Sequence, residues 1–564
     1  MKFTEFEYKR PEIENFKSAF QSALTRFKEA NSFEEQSEIF EAIEKLRGEF
    51  DSMYNICYIR HSVDTKNEFY EAENTFFDQN LPSFQDLNTQ FHRALIESKF
   101  RKQLEEKWGK QLFTIAELSL NTFKPQILED LQEENKLTSQ YIKLKASAEI
   151  EFRGEKYNLS GLDPFIMSED RATRKEAATT KWQFFADNAE SFASIFDKMV
   201  KVRHKMAQAL GYKNFVELGY NRMLRSDYNA DMVAVFRKQV QDYIVPIATE
   251  LRQRQTKRLG VDSLKYYDEV FKFKTGNPKP KGSPEWIVEN ARDMYKQLST
   301  ETNDFFEFML EKGLMDLTNK DGKATGGYCT YINKYKSPFI FSNFNGTSGD
   351  IDVLTHEAGH AFQVFSSRDL GIQEYNWPTY EACEIHSMSM EFFTWPWMDK
   401  FFKEDTEKYK FSHLAESLIF IPYGVAVDEF QHVVYENPDM TPTERNAAWR
   451  AIEQKYLPYR DYEDNDFLNS GGFWNRQSHI FVNPFYYIDY TLAQICAFQF
   501  WMKDRQDHEG AWKDYLHLCQ VGGSLSFLEL VKLANLRSPF DPECVASVIG
   551  EIKKWLDGVD DSKF

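Results

Sequence analysis

The chain has 564 residues, 42% hydrophobic and 28% charged, with a net charge of −19 at pH 7 and a pI near 5.2. That length exceeds a single compact core, and the composition suits a soluble globular protein. The acidic balance argues against nucleic acid as a partner, since phosphate binding needs clustered Lys and Arg; RQRQTKR at 252–258 reads as a solvated helix face.

The first residues, MKFTEFEYKRPEIENF, are charged throughout and lack the apolar core of a signal peptide. The longest apolar run, LIFIPYGVAV at 418–427, holds Pro422 and Gly424 and falls short of the roughly 20 residues a bilayer span needs. Six cysteines are scattered without a CxxC pair, which fits a reducing compartment. The expectation is a cytoplasmic protein with no membrane partner. Composition does not read out the oligomeric state.

Helical periodicity dominates residues 1–150. SEIFEAIEKLRGEFDSMYNICYI at 37–59 puts Ile39, Phe40, Ile43, Leu46, Phe50 and Met53 on one stripe. No ligand constellation appears there, so 1–150 reads as an N-terminal helical domain and 151–564 as the rest. Near that boundary EFRGEKYNL alternates around a Gly turn, the pattern of a short hairpin. Helices resume at about 168, and TGNPKPKGSPEW at 275–286 is the clearest loop. In 324–350, Tyr328, Thr330 and Ile332, then Phe339, Ile340 and Phe341, mark two short strands with NKYKSP as their turn. TPTE at 441–444 is a helix capping box. The sum is a mainly α protein with one small antiparallel β-sheet.

That strand pair leads into DIDVLTHEAGHAFQVF at 350–365, a helix by pattern. Asp350 is the expected N-cap, and Leu354, Ala358, Ala361, Phe362 and Phe365 form its apolar stripe. His356 and His360 stand one turn apart on one face, so both imidazoles can reach one Zn²⁺. Glu357 is turned about 100° around the helix from His356, beside the metal rather than on it, where a base that activates water belongs. Gly359 is costly inside a helix, which suggests that something packs closely against it.

A zinc site of this kind needs a third protein ligand. The HExxHxxGxxH pattern would put a histidine at 366, which is Ser366, and no GxMEN stretch lies upstream. A downstream acid remains. In YEACEIHSMSMEFFT at 380–394, Glu384, Ser387, Met388 and Glu391 share one helical face. Glu384 is taken as the third ligand and Glu391, two turns on, as the acceptor that holds a ligand histidine. Spacing alone leaves Glu381 as a competitor.

HEAGH followed by EIHSMSME resembles the zinc signature of the thimet oligopeptidase and oligoendopeptidase F family. ALGYKNFVELGY at 209–220 resembles the bacterial oligoendopeptidase F branch, its Pz-peptidases in particular. The likeness runs through most of the chain. It implies one Zn²⁺ held by His356, His360 and Glu384, with Glu357 as the base. SHIFVNPFYYIDYTLAQ at 478–494 matches the family's downstream histidine and paired tyrosines, which makes His479, Tyr487 and Tyr490 candidates to orient substrate and stabilise the oxyanion. The gap between them is a single residue shorter than in mammalian relatives, so Tyr486 and Tyr487 stay open as alternatives. Gly326, Gly327 and Tyr328 would open an edge strand able to pair with an extended substrate. Cys383, beside Glu384, reads equally as an oxidant-sensitive or an inert thiol.

The resemblance further implies an elongated, two-lobed helical metallopeptidase. A deep channel would admit short unfolded peptides, Pro- and Gly-containing collagen-like ones among them, and exclude folded proteins. Two other readings compete on the residues alone: a helical scaffold with a structural zinc, and a zinc exopeptidase.

Overall fold

The computed structural model describes residues 1–564 apart from Asp321 and the side chain of Pro82. The strands are β1 (Ile150–Phe152), β2 (Glu155–Tyr157), β3 (Met315–Thr318), β4 (Tyr328–Ile332) and β5 (Ser337–Phe344). The helices that matter most below are α1 (Phe33–Val63), α2 (Gly349–Ser367), α3 (Tyr380–Phe393), α4 (Thr406–Glu436), α5 (Tyr487–Gln506) and α6 (His508–Val521). Among the described residues, no helix is long and apolar enough to cross a membrane.

The chain packs into two compact units, each assembled from separate stretches. The first joins 1–120, 278–406 and 496–537; the second joins 121–277, 407–495 and 538–564. The boundary expected at 150 therefore falls inside the second unit. A cut in chain order cannot anticipate this, because the N-terminal helices find their core partners far along the sequence. Phe20, Phe40, Phe91 and Phe113 bury against Ile372 and Tyr375 of the first unit. The stripe read on α1 is the buried one: Ile39, Phe40, Ile43 and Phe50 are all in the core. The Pro- and Gly-rich loop at 275–286 contains the junction between stretches and ends where Ser283 caps the helix Pro284–Leu298.

The sheet of the first unit differs from expectation. β4 and β5 pair antiparallel as the alternation predicts, with Tyr328 opposite Phe341 and Ile332 opposite Ser337. A third strand, β3, adds to β5 in parallel, so the sheet is mixed and its order is β3-β5-β4. MDLT is too short to show a period, and a parallel partner leaves no turn signature. β5 is buried along nearly its whole length, as a central strand should be, and β4 is an edge. The hairpin read at 151–159 also forms a sheet of its own, β1 with β2, turned by Arg153 and Gly154 at φ 52° and 86°.

The loop after β5 delivers α2. Ser348, not Asp350, holds the N-cap position. Asp350 sits in the first turn, and its carboxylate accepts the backbone N–H groups of Asn345 and Gly346, each at 2.8 Å. It thus ties the incoming loop to the helix instead of capping it.

In the second unit, Arg203 is wholly buried and donates to Glu134, to the Tyr435 hydroxyl and to the Phe481 carbonyl, binding three helical segments together. The capping box at Thr441 and Glu444 forms as read. α4 carries Pro422 in its interior.

Candidate metal centre

The first unit brings His356, His360 and Glu384 together. One ligand atom from each lies within 4.8 Å of the others, the sole such group of three or more among the described residues. The Glu384 Oε2 atom is 3.2 Å from His356 Nε2 and 3.6 Å from His360 Nε2. The two rings stand at 81° with centroids 5.0 Å apart, so both Nε2 atoms can point at one centre. Two imidazoles and a carboxylate are the donor set of a catalytic zinc site with three protein ligands, and the residues fit a divalent ion of that kind.

The surrounding contacts orient these donors. Glu391 Oε1 lies 2.7 Å from His356 Nδ1, which commits that nitrogen and leaves Nε2 for the centre. Ser387 donates to Glu384 Oε2 at 3.0 Å. Glu381, the competitor by spacing, is buried on α3 but does not join the group. Burial alone would raise the Glu384 carboxyl, yet the neighbouring imidazoles of His356 and His360 outweigh it and hold it well below the usual range. For His356, burial pulls down, and Glu384 and Glu391 more than reverse it.

Glu357 stands next to the group and outside it. Burial raises its carboxyl above the ordinary range, against the pull of His360 and His356. That combination suits a base that must take and return a proton.

Gly359 explains itself in packing. A Cβ there would come 2.6 Å from Ser387 Cα and 2.7 Å from the His386 carbonyl oxygen, both on α3. The missing side chain lets α3 approach until Glu384 meets the two histidines. On the far side, Tyr515 of α6 donates to that same His386 carbonyl at 2.8 Å.

Gly326 and Gly327 are exposed just ahead of the edge strand β4. A Cβ on Gly327 would lie 3.6 Å from Glu357 Oε1, so this bare backbone flanks the candidate base. Tyr328 instead turns inward, its ring stacked on Phe341 at 4.8 Å. The Cys383 thiol donates to the Pro378 carbonyl at 3.3 Å.

The second unit holds His479, Tyr486, Tyr487 and Tyr490 as an aromatic cluster. The His479 ring lies 5.7, 4.9 and 6.0 Å from those of Tyr486, Tyr487 and Tyr490. Burial pushes the Tyr487 hydroxyl far up, so it stays a protonated donor. The chain enters α5 through Phe485, whose φ of 69° is left-handed and unfavourable for a bulky residue. Its N–H donates to Gln431 at 2.8 Å, its carbonyl accepts from Arg225, and Arg225 also pairs with Asp489 on α5 at 2.6 Å. The Phe485 ring lies over Gly219, where a Cβ would come within 2.6 Å. The glycine in VELGY thus makes room for the bend that sets the tyrosines.

Among known proteins, a model of peptidase family M3 matches residues 165–548, and a model of the peptidase M3 N-terminal domain matches 3–123. The solved structure of PZ peptidase A with inhibitor 2 is 62% identical and superposes with a TM-score of 0.94 over all of both chains. Oligopeptidase PepF of Bacillus subtilis (strain 168) is 20% identical over 562 residues, covering 93% of this chain and 81% of PepF. An oligoendopeptidase F homolog of Borreliella burgdorferi is 24% identical over 385 residues, a match to 66% of this chain and 63% of that relative. With a family model spanning most of its length around an HExxH helix, the chain belongs to peptidase family M3, in its oligoendopeptidase F branch of oligopeptidases.

Proposed function

We propose that the protein is a zinc-dependent endopeptidase that hydrolyses internal bonds of short, unfolded oligopeptides. The observation that carries this reading is the His356–His360–Glu384 group with Glu357 beside it. Zinc held there would supply Lewis acidity toward water and the scissile carbonyl. The chain's own residues supply the rest. Glu357 takes the proton of the attacking water and delivers it to the leaving nitrogen as the C–N bond breaks. The family resemblance gives His479, Tyr487 and Tyr490, with Tyr486 beside them, the task of donating to the carbonyl oxygen as charge builds on it. Gly326 and Gly327, ahead of the edge strand, leave room for a substrate backbone, and the β4 edge offers it hydrogen bonds. Tyr328, packed inward, shapes that strand from behind.

The likeness to relatives named oligopeptidase and oligoendopeptidase F supports short peptides as the substrates. The resemblance to Pz-peptidases extends the proposal to Pro- and Gly-containing, collagen-like peptides. The reading sets the protein in the cytoplasm, with peptides rather than nucleic acid or membrane as its partners.

A mass-spectrometric digest of peptides graded in length tests this, with chelator present, absent, and followed by zinc. Internal cuts confined to shorter peptides, lost with chelator and restored by zinc, are expected. Trimming from the termini alone would point to an exopeptidase. No cleavage in any condition would leave a scaffold with a structural metal.

A further inference from the structure

His479 belongs to a short chain of hydrogen bonds. Its Nδ1 lies 2.7 Å from Gln477 Nε2, and Gln477 Oε1 lies 2.7 Å from the Tyr423 hydroxyl. We propose that Tyr423 and Gln477 are positioning residues that hold His479 as the tautomer with its hydrogen on Nε2. This rests on the role proposed for His479 above.

The direction of the chain follows from what each group can do. An amide nitrogen only donates, so His479 Nδ1 must accept and the ring hydrogen must sit on Nε2. An amide oxygen only accepts, so the Tyr423 hydroxyl must donate. Turning the amide over would make Tyr423 the acceptor. Its own hydrogen would then lose the amide oxygen of Gln477, the one protein hydrogen-bond partner of that hydroxyl among the described residues. Burial pushes the Tyr423 hydroxyl up to about 12, against Arg476 and Arg460, so it keeps the hydrogen it donates.

Both relay residues are held in place. Gln477 is 8% exposed and directly precedes the short helix Ser478–Val482 that carries His479. Tyr423 follows Pro422, whose missing N–H opens the helical ladder of α4. Next comes Gly424, whose lack of a Cβ admits the Thr491 methyl of α5. The Tyr423 ring meets that of Tyr487 edge-on at 5.7 Å. One stretch of α4 therefore sets both the hydrogen bond behind His479 and the packing of the neighbouring tyrosine. A ring locked with Nε2–H presents a neutral donor and cannot act as a base through Nε2, which fits oxyanion stabilisation rather than water activation.

The test uses the zinc-loaded full chain labelled with ¹⁵N-histidine, His479 being assigned by the signal lost in His479→Ala. The wild-type spectrum should show a protonated Nε2 and a bare Nδ1. Gln477→Glu offers an acceptor to both neighbours. It should move the hydrogen to Nδ1 and lower kcat/KM by about 100-fold, mostly in kcat, with zinc content unchanged. Tyr423→Phe should lower kcat roughly 3- to 10-fold by freeing the amide to turn. A wild-type Nδ1–H signal would overturn the proposal without recourse to any variant, as would a Gln477→Glu protein whose neutral His479 ring still carries its hydrogen on Nε2. Full activity in His479→Ala would instead sink the role given to His479, leaving the spectrum to decide the tautomer.

Discussion

Two buried clusters in the first unit each set a histidine against glutamate, and only one has the makings of a metal site. In the first, Arg47 on α1 donates to Glu44 and, through two nitrogens, to Glu374 at 2.6 and 3.1 Å, while His92 Nε2 approaches Glu374 at 2.9 Å. In the second, His356 and His360 face Glu384 at 3.2 and 3.6 Å. Burial would raise either carboxyl. What holds Glu374 down is chiefly the Arg47 guanidinium, and what holds Glu384 down is a pair of imidazoles. A guanidinium brings a fixed positive charge and completes its cluster. Imidazoles bring lone pairs as readily as hydrogens, and so can share a cation from solution. The lesson is to ask where the positive charge comes from before reading a buried His–Glu contact as functional.

The sharpest break in this comparison leaves the metal group assembled and removes its chemistry. Glu357→Gln should lower kcat/KM by about 10³-fold, with zinc content and thermal stability near wild type. Activity near wild type would show that the proton passes through another group. The converse variant, Glu374→Gln, should cost roughly 3 kcal/mol of stability at pH 7 while the folded protein keeps its kcat and its zinc. Its pH dependence has a definite sign. The Glu374 carboxyl titrates below its unfolded value, so its stabilisation is fully present above about pH 4.3 and is lost as the pH falls below that. The gap between wild type and variant in denaturant melts should therefore narrow in acid. A gap that stayed constant would mean the carboxylate charge contributes nothing.

Glu391 grades the candidate metal cluster from within. Glu391→Gln keeps the shape of the side chain but replaces a charged acceptor behind His356 with an amide. Zinc affinity should fall about 10- to 100-fold, read by competition with a chromophoric chelator. Glu391 is legible in the sequence because two regular helices convert spacing into geometry: His356 and His360 one turn apart, Glu384 and Glu391 two turns apart. Glu384 itself needs the family resemblance, since period alone does not separate it from Glu381. The second unit's cluster is harder still to read. Its tyrosines are aimed by a left-handed Phe485, a conformation no side-chain pattern announces, and by Arg225 and Gln431 from distant segments. β3 escapes for the related reason that a four-residue strand pairing in parallel takes its identity from its partner.

Gly359 offers the smallest effect and the cleanest control. Alanine is ordinarily the better helix former by about 1 kcal/mol, so Gly→Ala inside a helix should stabilise where space allows. At Gly550, within the helix Cys544–Asp557, a Cβ would meet nothing within 4 Å, and Gly550→Ala should raise the melting temperature. At Gly359 the added methyl meets the α3 backbone at 2.6 and 2.7 Å and the Met390 Cβ at 3.0 Å, none of them the free end of a flexible chain. Overpacking of this kind costs about 1–3 kcal/mol, which exceeds the gain in helix propensity and makes the net change destabilising. Moving α3 outward is the available relief, and it would carry Glu384 away from His356 and His360. Gly359→Ala should thus lose zinc affinity as well as stability, whereas Gly550→Ala should leave zinc affinity alone. A Gly359→Ala protein as stable and as zinc-avid as wild type would show that the close approach of α2 and α3 does not set the position of Glu384.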